Sequence, residues 1–141
     1  IIPADKFFLD NYRGKLVYLD FWASWCGPCK SSFPFMSALQ DRYSDRGLVI
    51  IAVNVDRDST EAMHFLEKFP AGFPVVMNPD GNLASEFKVL GMPSSYLIDA
   101  SGAVVWSHKG FRKGDDEIIE KNIIEALSGD APHNQTGLLT R

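Results

Sequence analysis

The stretch DFWASWCGPC, residues 20–29, contains both cysteines of the chain and two of its three tryptophans. It overlaps an apolar and aromatic run from Leu16 to Trp22, broken by the acid Asp20, which predicts a buried strand. Beyond the cysteines, apolar residues recur at spacings of three and four and predict a helix over 30–43, with a buried face formed by Phe33, Met36, Leu39 and Tyr43. Both thiols are therefore expected where a central strand ends and a helix begins.

The start of a helix gives the two thiols a chemical role. Cys26 falls at or near the N-cap, where unpaired N–H groups and the positive end of the helix dipole favour an anion. Its thiolate should be stabilised, with a pKa below the free value of about 8.5 and near ~7. Pro28 suits the first helical turn, and Cys29 lies one turn along, facing Cys26. We therefore expect an exposed nucleophile, Cys26, beside a buried resolving thiol, Cys29, which is the arrangement used in thiol–disulfide exchange.

Length and composition exclude several other classes of protein. With 141 residues and 45% hydrophobic content, the chain can form one domain with a proper core. A net charge of −4 gives no electrostatic footprint for nucleic acid or for an anionic membrane. A structural zinc site needs four ligands, whereas the chain has two cysteines and three histidines scattered singly. We expect no metal and no cofactor beyond the redox-active Cys26–Cys29 pair.

Downstream of residue 43, strand and helix patterns alternate. The continuous apolar run from Leu48 to Val55 predicts a buried parallel strand. Asp58 is the expected N-cap of a helix that ends before Pro70, and Glu61 follows three residues later. A short strand over 73–77, a turn and a short helix over 83–87 complete this part of the chain.

The last third of the sequence predicts a hairpin and a helix. Strands over 95–98 and 103–107 are joined by a turn-forming stretch, 99–102. A helix then starts at Gly114, and its expected buried residues are Ile118, Ile119, Ile123, Ile124 and Leu127. The remainder is polar and aperiodic. We expect a domain over 1–128 and a disordered tail over 129–141.

Several of these features together resemble the active site of thioredoxins, and the wider chain resembles the TlpA/ResA group of bacterial extracytoplasmic thioredoxin-like proteins, which includes DsbE-like members. The resemblance runs from about Tyr12 to Leu127. Its marks are FWASWCGPC at 21–29, Pro34 five residues after Cys29, VNVD at 53–56, and GMPS at 91–94 before YLID at 96–99. It implies an α/β thioredoxin fold, in which helices flank both faces of a central mixed β-sheet. An extra helix–strand insert is expected between the second core strand and the cis-proline loop.

The resemblance also implies roles for particular residues. Asp20 matches the buried acid beneath the active-site disulfide of thioredoxins, which takes the proton of the resolving cysteine; the alternative is an aspartate that faces solvent. Met92-Pro93 matches the cis-proline loop, whose backbone pairs with a substrate strand. The predicted substrate-binding residues are Trp25, Gly27, Pro28, Met92 and Pro93. Trp22 is expected in the core.

Acidic residues near the site tune the thiols in part of the ResA group. Three acids lie in the corresponding region of this chain, Asp56, Asp58 and Glu61. No local motif selects one of them.

The leading functional hypothesis is a thiol–disulfide oxidoreductase that acts on protein disulfides as a reductant. Gly27-Pro28 is the thioredoxin dipeptide, whose family trend is toward low potential. One alternative is a disulfide isomerase or oxidase, and another is a non-catalytic thiol-based binding module. A peroxiredoxin-type peroxidase is disfavoured because its Pro-x-x-x-Thr-x-x-Cys arrangement is absent from the sequence.

The resemblance further implies a location outside the cytoplasm, in the periplasm or at the outer face of a membrane. The chain starts at Ile1 rather than at methionine, and we expect a signal peptide or an apolar anchor to precede it. An oxidising compartment requires a supply of electrons, so the expected partners are a membrane electron donor and protein thiol or disulfide substrates. Cytochrome c maturation is one family precedent. We expect a monomer that binds no nucleic acid.

Overall fold

A six-stranded sheet forms the centre of the computed structural model, which describes residues 1–129. Three short 3-10 turns occur at Ala4–Lys6, Leu9–Tyr12 and Ser44–Arg46. The strands and helices follow in chain order as β1 (Ile2–Pro3), β2 (Leu16–Trp22), α1 (Gly27–Tyr43), β3 (Leu48–Asn54), α2 (Ser59–Lys68), β4 (Val75–Met77), α3 (Asn82–Glu86), β5 (Ser94–Ile98), β6 (Val104–Lys109) and α4 (Asp115–Leu127).

The order of the strands in the sheet is β1-β4-β3-β2-β5-β6. β2, β3, β4 and β1 pair in parallel, whereas β5 and β6 add antiparallel to the other side of β2. β2 and β3 are therefore central, and their near-continuous burial explains their unbroken apolar sequences. This mixed sheet confirms the predicted thioredoxin fold.

The two faces of the sheet carry two separate cores. One core holds both cysteines and is covered by α1, α2 and α4 through residues such as Phe33, Phe65 and Ile123. The other core consists of the alternate residues of the same strands, and it is covered by α3 and by the N-terminal segment that includes Phe7. Helices therefore lie on both faces, as predicted.

The helix–strand insert between β3 and the cis-proline loop is present as α2 and β4, followed by α3. β4 starts at Val75 rather than at Phe73, since Phe73 packs its ring against Phe33 at a centroid distance of 5.3 Å instead of pairing in the sheet. The parallel pairing of β1 with β4 was not predicted. β1 has only two residues, which is too short for a periodic pattern from which a strand could be predicted.

The predicted buried face of the last helix is partly wrong. Ile119 and Ile123 are buried, but Ile118 and Ile124 are 48% and 38% exposed. In their place, Asp115 and Asn122 face inward. Positions 115, 119, 122 and 123 share one stripe of a helix with 3.6 residues per turn, whereas residue 118 falls at the edge of that stripe and residue 124 on the far side of the helix.

The predicted division into a domain over 1–128 and a tail over 129–141 remains a prediction, because residues 130–141 lie outside the described residues. None of the helices within residues 1–129 has the length and apolar character needed to cross a bilayer.

Candidate active site

The cysteine pair lies at the junction of β2 and α1. Cys26 is the N-cap of α1, with an extended backbone (φ −84°, ψ 108°), and Pro28 occupies the first turn. Cys29 lies within that turn, and the pair forms a disulfide with a Cα–Cα distance of 5.4 Å. The predicted placement of the thiols at a helix start is thus confirmed.

The two sulfurs are less different in exposure than predicted. Cys26 is 3% exposed and Cys29 is 0% exposed, so the predicted exposure of Cys26 is wrong for the disulfide form. Cys26 is shielded because its residue is packed into the core that also holds Trp22 and Phe33. It remains the more accessible of the two, since its neighbours Gly27 and Pro28 are both exposed.

Asp20 is buried on the face of β2 that supports the cysteine pair. It is 2% exposed, and it lies between Tyr18 and Trp22, which share a core with both cysteines. Burial raises the pKa of its carboxyl group well above the ordinary value. Its Oδ2 accepts no hydrogen bond from any group within residues 1–129. The alternative of a solvent-facing aspartate is therefore wrong.

The two tryptophans of the motif have opposite environments. Trp22 is fully buried, with its ring 4.7 Å from that of Phe33 and 4.8 Å from that of Phe65, which confirms its place in the core. Trp25 is 70% exposed. Together with Gly27 and Pro28, Trp25 forms an exposed rim directly beside Cys26.

The Met92–Pro93 peptide bond is cis. The loop lies at the same end of the sheet as the cysteines, because β5 runs antiparallel to β2 and its first residue, Ser94, pairs with Phe21. The Pro93 carbonyl accepts a hydrogen bond from Gly110 N at 2.7 Å. Among residues 1–129, the backbone N–H and C=O of Met92 bond to no other backbone group. Met92 therefore keeps its main-chain groups available at the end of the sheet that carries the cysteine pair.

Asp56 is a site residue that the sequence did not single out from Asp58 and Glu61. Its Oδ2 accepts hydrogen bonds from Ser24 N and Asn54 Nδ2, both at 2.8 Å, and its Oδ1 accepts one from Ser24 Oγ at 2.9 Å. Asp56 is 6% exposed. Its carboxylate thus fixes the loop that leads from β2 to Cys26.

The signal for this contact was the position of Asp56 just beyond the end of its strand. Trp22 and Asn54 are partners at the carboxyl ends of the parallel strands β2 and β3, so the segments that follow them must meet. Asp58, in contrast, caps α2 by accepting a hydrogen bond from Thr60 N at 2.9 Å, and its side chain is exposed.

Within residues 1–129, no three histidine, cysteine, aspartate or glutamate side chains are grouped so that they could hold a metal ion. The chemistry that the described site can perform is that of its cysteine pair. Asp20 lies on the face of β2 that supports that pair, Asp56 holds the loop that leads to Cys26, and the exposed rim lies next to Cys26.

Comparison with known proteins places this geometry in a family. The Redoxin family model matches residues 4–125. The thiol-disulfide oxidoreductase ResA of Bacillus thuringiensis subsp. konkukian is 34% identical over 109 residues, which cover 77% of this chain and 63% of that relative. The chain thus spans less than two thirds of that relative's length. ResA of Bacillus anthracis is 34% identical over 128 residues, covering 91% of this chain and 68% of the relative.

A solved structure from Chlorobium tepidum, a candidate thiol:disulfide interchange protein DsbE, superposes with a TM-score of 0.83 at 47% identity. The match covers 84% of each chain. The chain belongs to the Redoxin family, within the ResA-like and DsbE-like part of the thioredoxin superfamily.

Proposed function

We propose that the protein is a thiol–disulfide oxidoreductase that reduces disulfides in protein substrates. The observation that carries this proposal is the Cys26–Cys29 disulfide across the first turn of α1, with Cys26 as the N-cap. A thiolate at this position is stabilised by the helix dipole and by free N–H groups, and a second thiol one turn away can attack its sulfur in a mixed disulfide and displace the substrate. The similarity to ResA proteins supports the same chemistry.

The reaction begins with the dithiol form. The Cys26 thiolate attacks one sulfur of the substrate disulfide, a mixed disulfide forms, and the first substrate sulfur leaves as a thiolate. The Cys29 thiol then loses its proton and attacks Cys26 Sγ. The second substrate sulfur leaves, and the Cys26–Cys29 disulfide closes. Two electrons pass from the protein to the substrate, and the substrate thiolates take up protons from water.

Asp20 is the group proposed to accept the proton of Cys29. Its position on the face of β2 beneath the cysteine core and its burial support this role. A carboxyl group with a raised pKa has a proton affinity closer to that of a thiol, which suits it to general acid–base catalysis near neutral pH.

The proposed substrate surface consists of Trp25, Gly27 and Pro28 on one side and Met92-Pro93 on the other. The free main-chain groups of Met92 can pair with an extended substrate segment, as a strand is added to a sheet edge. The exposed ring of Trp25 then provides an apolar contact beside the substrate disulfide.

Insulin reduction in the presence of dithiothreitol tests the proposed activity. The wild-type protein should accelerate precipitation of the insulin B chain, and Cys26→Ser should not exceed the rate of dithiothreitol alone. Equal rates for the two proteins would contradict the proposal and favour a binding module. The midpoint potential tests the direction of electron flow. A potential as high as the roughly −120 mV of a strong disulfide donor would indicate an oxidase.

We further propose that the protein works outside the cytoplasm and is supplied with electrons by a membrane donor. Support comes from the TlpA/ResA-like motifs at 21–29, 53–56 and 91–94 and from the need to re-reduce an active-site dithiol in an oxidising compartment. A full-length precursor with a signal peptide or apolar anchor is the expected result. A cytoplasmic precursor whose dithiol is reduced by a soluble reductase would contradict it.

A further inference from the structure

A row of buried polar side chains crosses the face of the sheet that carries the cysteine pair. Asp20 of β2 pairs with Ser95 of β5, and Ser95 pairs in turn with His108 of β6. Asp20 and Ser95 are 2% and 3% exposed. Residues directly opposite each other in antiparallel strands have Cβ atoms about 4.5–5.5 Å apart. Asp20, Ser95 and His108 are thus successive neighbours in register from the centre of the sheet to its edge strand.

The outer end of the row is an ion pair close to the surface. His108 Nε2 lies 3.0 Å from Asp115 Oδ2, and these side chains are 15% and 10% exposed. A hydrogen bond from Arg112 N, followed by the interaction with His108, lowers the pKa of Asp115. Asp115 is thus an ionised partner of the imidazole, and histidine is the side chain best suited to exchange protons near neutral pH.

Tyr18 links the inner and outer ends of the row. It lies two residues before Asp20 on the same face of β2. Burial, followed by the charge of Asp20, raises the pKa of the Tyr18 hydroxyl, and the charge of Asp115 adds to this effect. The hydroxyl also lies beside Ser95. Ser95 Oγ donates a long hydrogen bond of 3.4 Å to the His108 carbonyl. Both hydroxyls therefore lie between Asp20 and the His108–Asp115 pair.

On its other side, no comparable polar neighbour of Asp20 is present in the part of the chain that the structure describes. There it pairs with Ala52 of β3, whose side chain carries no polar atom. Asn54, at the end of β3, is a buried polar residue on this face, and its side chain is bonded to Asp56. Neighbouring positions such as Trp22, Leu97 and Trp106 are apolar or aromatic. Polar groups are costly to bury unless they are hydrogen-bonded, yet Asp20 Oδ2 has no partner within residues 1–129.

We propose that this row is a proton path, in which the hydroxyls of Ser95 and Tyr18 and the His108–Asp115 pair connect Asp20 to solvent. The inference rests on the proposed function. Asp20 takes the proton of Cys29 and becomes a neutral carboxylic acid. It passes one proton to a row hydroxyl, which releases its own proton toward His108, so the hydroxyl ends unchanged. His108 releases the proton to water, and the departing substrate thiolate takes up one proton from water.

The groups that face this path come from five elements. Beside its outer end, the exposed Arg112 side chain lies with its Nε 3.9 Å from Asp115 Oδ2. The groups of the path itself are Cys26 and Cys29 on α1, Tyr18 and Asp20 on β2, Ser95 on β5, His108 on β6 and Asp115 on α4. Within this set, His108 and Asp115 are the members with side chains that reach solvent. The path therefore predicts that the release of protons from Asp20 depends on His108.

The two chemical steps can be separated by single-turnover kinetics. The substrate is an aromatic disulfide that releases a coloured thiol when it is reduced. The first thiol is released when Cys26 attacks, and the second when Cys29 resolves the mixed disulfide. Ser95→Ala and His108→Gln should leave the first phase unchanged and slow the second roughly tenfold at neutral pH, a part of the usual contribution of general acid–base catalysis. Ser95→Thr keeps the hydroxyl and should resolve at the wild-type rate. Added imidazole should restore the second phase of His108→Gln.

Two matched controls distinguish the path from a structural effect. Ser107→Ala removes a hydroxyl from β6 at the position that pairs with Tyr96, outside the row. His64→Gln removes a histidine from the exposed side of α2. Both should behave as wild type.

The path would be overturned if Ser95→Ala and His108→Gln both resolved the mixed disulfide at the wild-type rate from mildly acid to mildly alkaline pH. A slowed His108→Gln that does not respond to imidazole would also overturn it. Failure of the proposed function would be seen differently. The wild-type protein would then not reduce insulin, whatever the effect of the row variants on the second phase.

Discussion

The two faces of the central sheet are built from the same strands, yet they differ in chemistry. Along β2, Val17, Leu19 and Phe21 point to a core that is made of apolar and aromatic residues. The alternate residues Tyr18 and Asp20 point to the core that holds the disulfide. Because side chains alternate along a strand, one seven-residue segment supplies both a stabilising face and a reactive face.

The difference shows how the fold tolerates a buried acid. The apolar face buries Phe21 completely, with its ring 5.5 Å from Phe87 and 5.9 Å from Tyr96. Such burial contributes a few kcal/mol for each large side chain. The reactive face loses part of that stabilisation because Asp20 is buried with no charge partner among residues 1–129. Substitutions on the apolar face should therefore change stability, and those on the reactive face should change rates.

The largest effect is expected from the resolving cysteine. Cys29→Ser should abolish turnover and accumulate a mixed disulfide between Cys26 and the substrate, because the group that breaks this bond is gone. Non-reducing gels and mass spectrometry measure the adduct. Cys26→Ser, the matched variant, should form no adduct through Cys29. A stable adduct on Cys29 would reverse the assigned roles.

On the apolar face, Phe21→Ala should cost about 3–5 kcal/mol of unfolding free energy through the cavity it leaves. The rate of mixed-disulfide resolution per folded molecule should stay at the wild-type value. Chemical denaturation and single-turnover kinetics measure the two quantities. Phe8→Ala is the control, since Phe8 is 58% exposed and exposed substitutions change stability by about 0.5 kcal/mol or less. A slower resolution step in Phe21→Ala would contradict the assignment of stability to one face of the sheet and of reactivity to the other.

On the reactive face, Asp20→Asn should slow resolution roughly a hundredfold, the lower end of what a general base contributes. The same substitution should also raise the free energy of unfolding at neutral pH. Burial raises the pKa of Asp20 in the folded state, so below about pH 4 the carboxyl is protonated in both states and costs little. As pH rises, the unfolded state ionises first and the wild-type protein loses up to about 1.4 kcal/mol per pH unit until the folded pKa is passed.

The amide introduced by Asp20→Asn does not titrate, so the variant should match the wild type near the acid end and exceed it at neutral pH. Denaturant unfolding of the disulfide form at several pH values measures this gap. A gap that stays constant with pH would mean that Asp20 ionises normally in the folded protein.

The smallest effect is expected at the edge of the reactive face. Asp56→Asn should lower the free energy of unfolding by about 1–3 kcal/mol, because an amide cannot accept all three hydrogen bonds that Ser24 and Asn54 donate. The reactivity of Cys26 toward iodoacetamide should change with it, since Ser24 fixes the loop before Cys26. Asp58→Asn is the matched control, and asparagine caps helices as well as aspartate. Equal effects of the two variants on stability and on Cys26 reactivity would mean that Asp56 has no specific role at the site.

Much of the fold could be predicted from sequence because its central strands are continuous apolar runs. β2 was predicted with its observed limits, Leu16–Trp22, and β3 to within one residue. The edge strand β1 could not be predicted, since two residues have no periodicity. The exposure of Ile118 and Ile124 was missed because an isoleucine-rich helix does not reveal which of its residues face the sheet.

The site could be predicted in part for a similar reason. The cysteine pair and Asp20 are local to one strand and one helix start, so spacing along the chain placed them. Asp56 contacts Ser24 across parallel strands, and Ser95 joins His108 through a pairing that depends on an irregularity between Leu97 and Ile98. Such contacts depend on sheet register, which local sequence does not specify.

The most direct test of the central claim, that Cys26 attacks and Cys29 resolves, is partial alkylation of the reduced protein. Limiting iodoacetamide near neutral pH, followed by peptide mass spectrometry, reports which thiol reacts first. We expect Cys26 to be labelled first, because it is the N-cap of α1 and has exposed neighbours, whereas Cys29 is fully buried. Preferential labelling of Cys29 would contradict it.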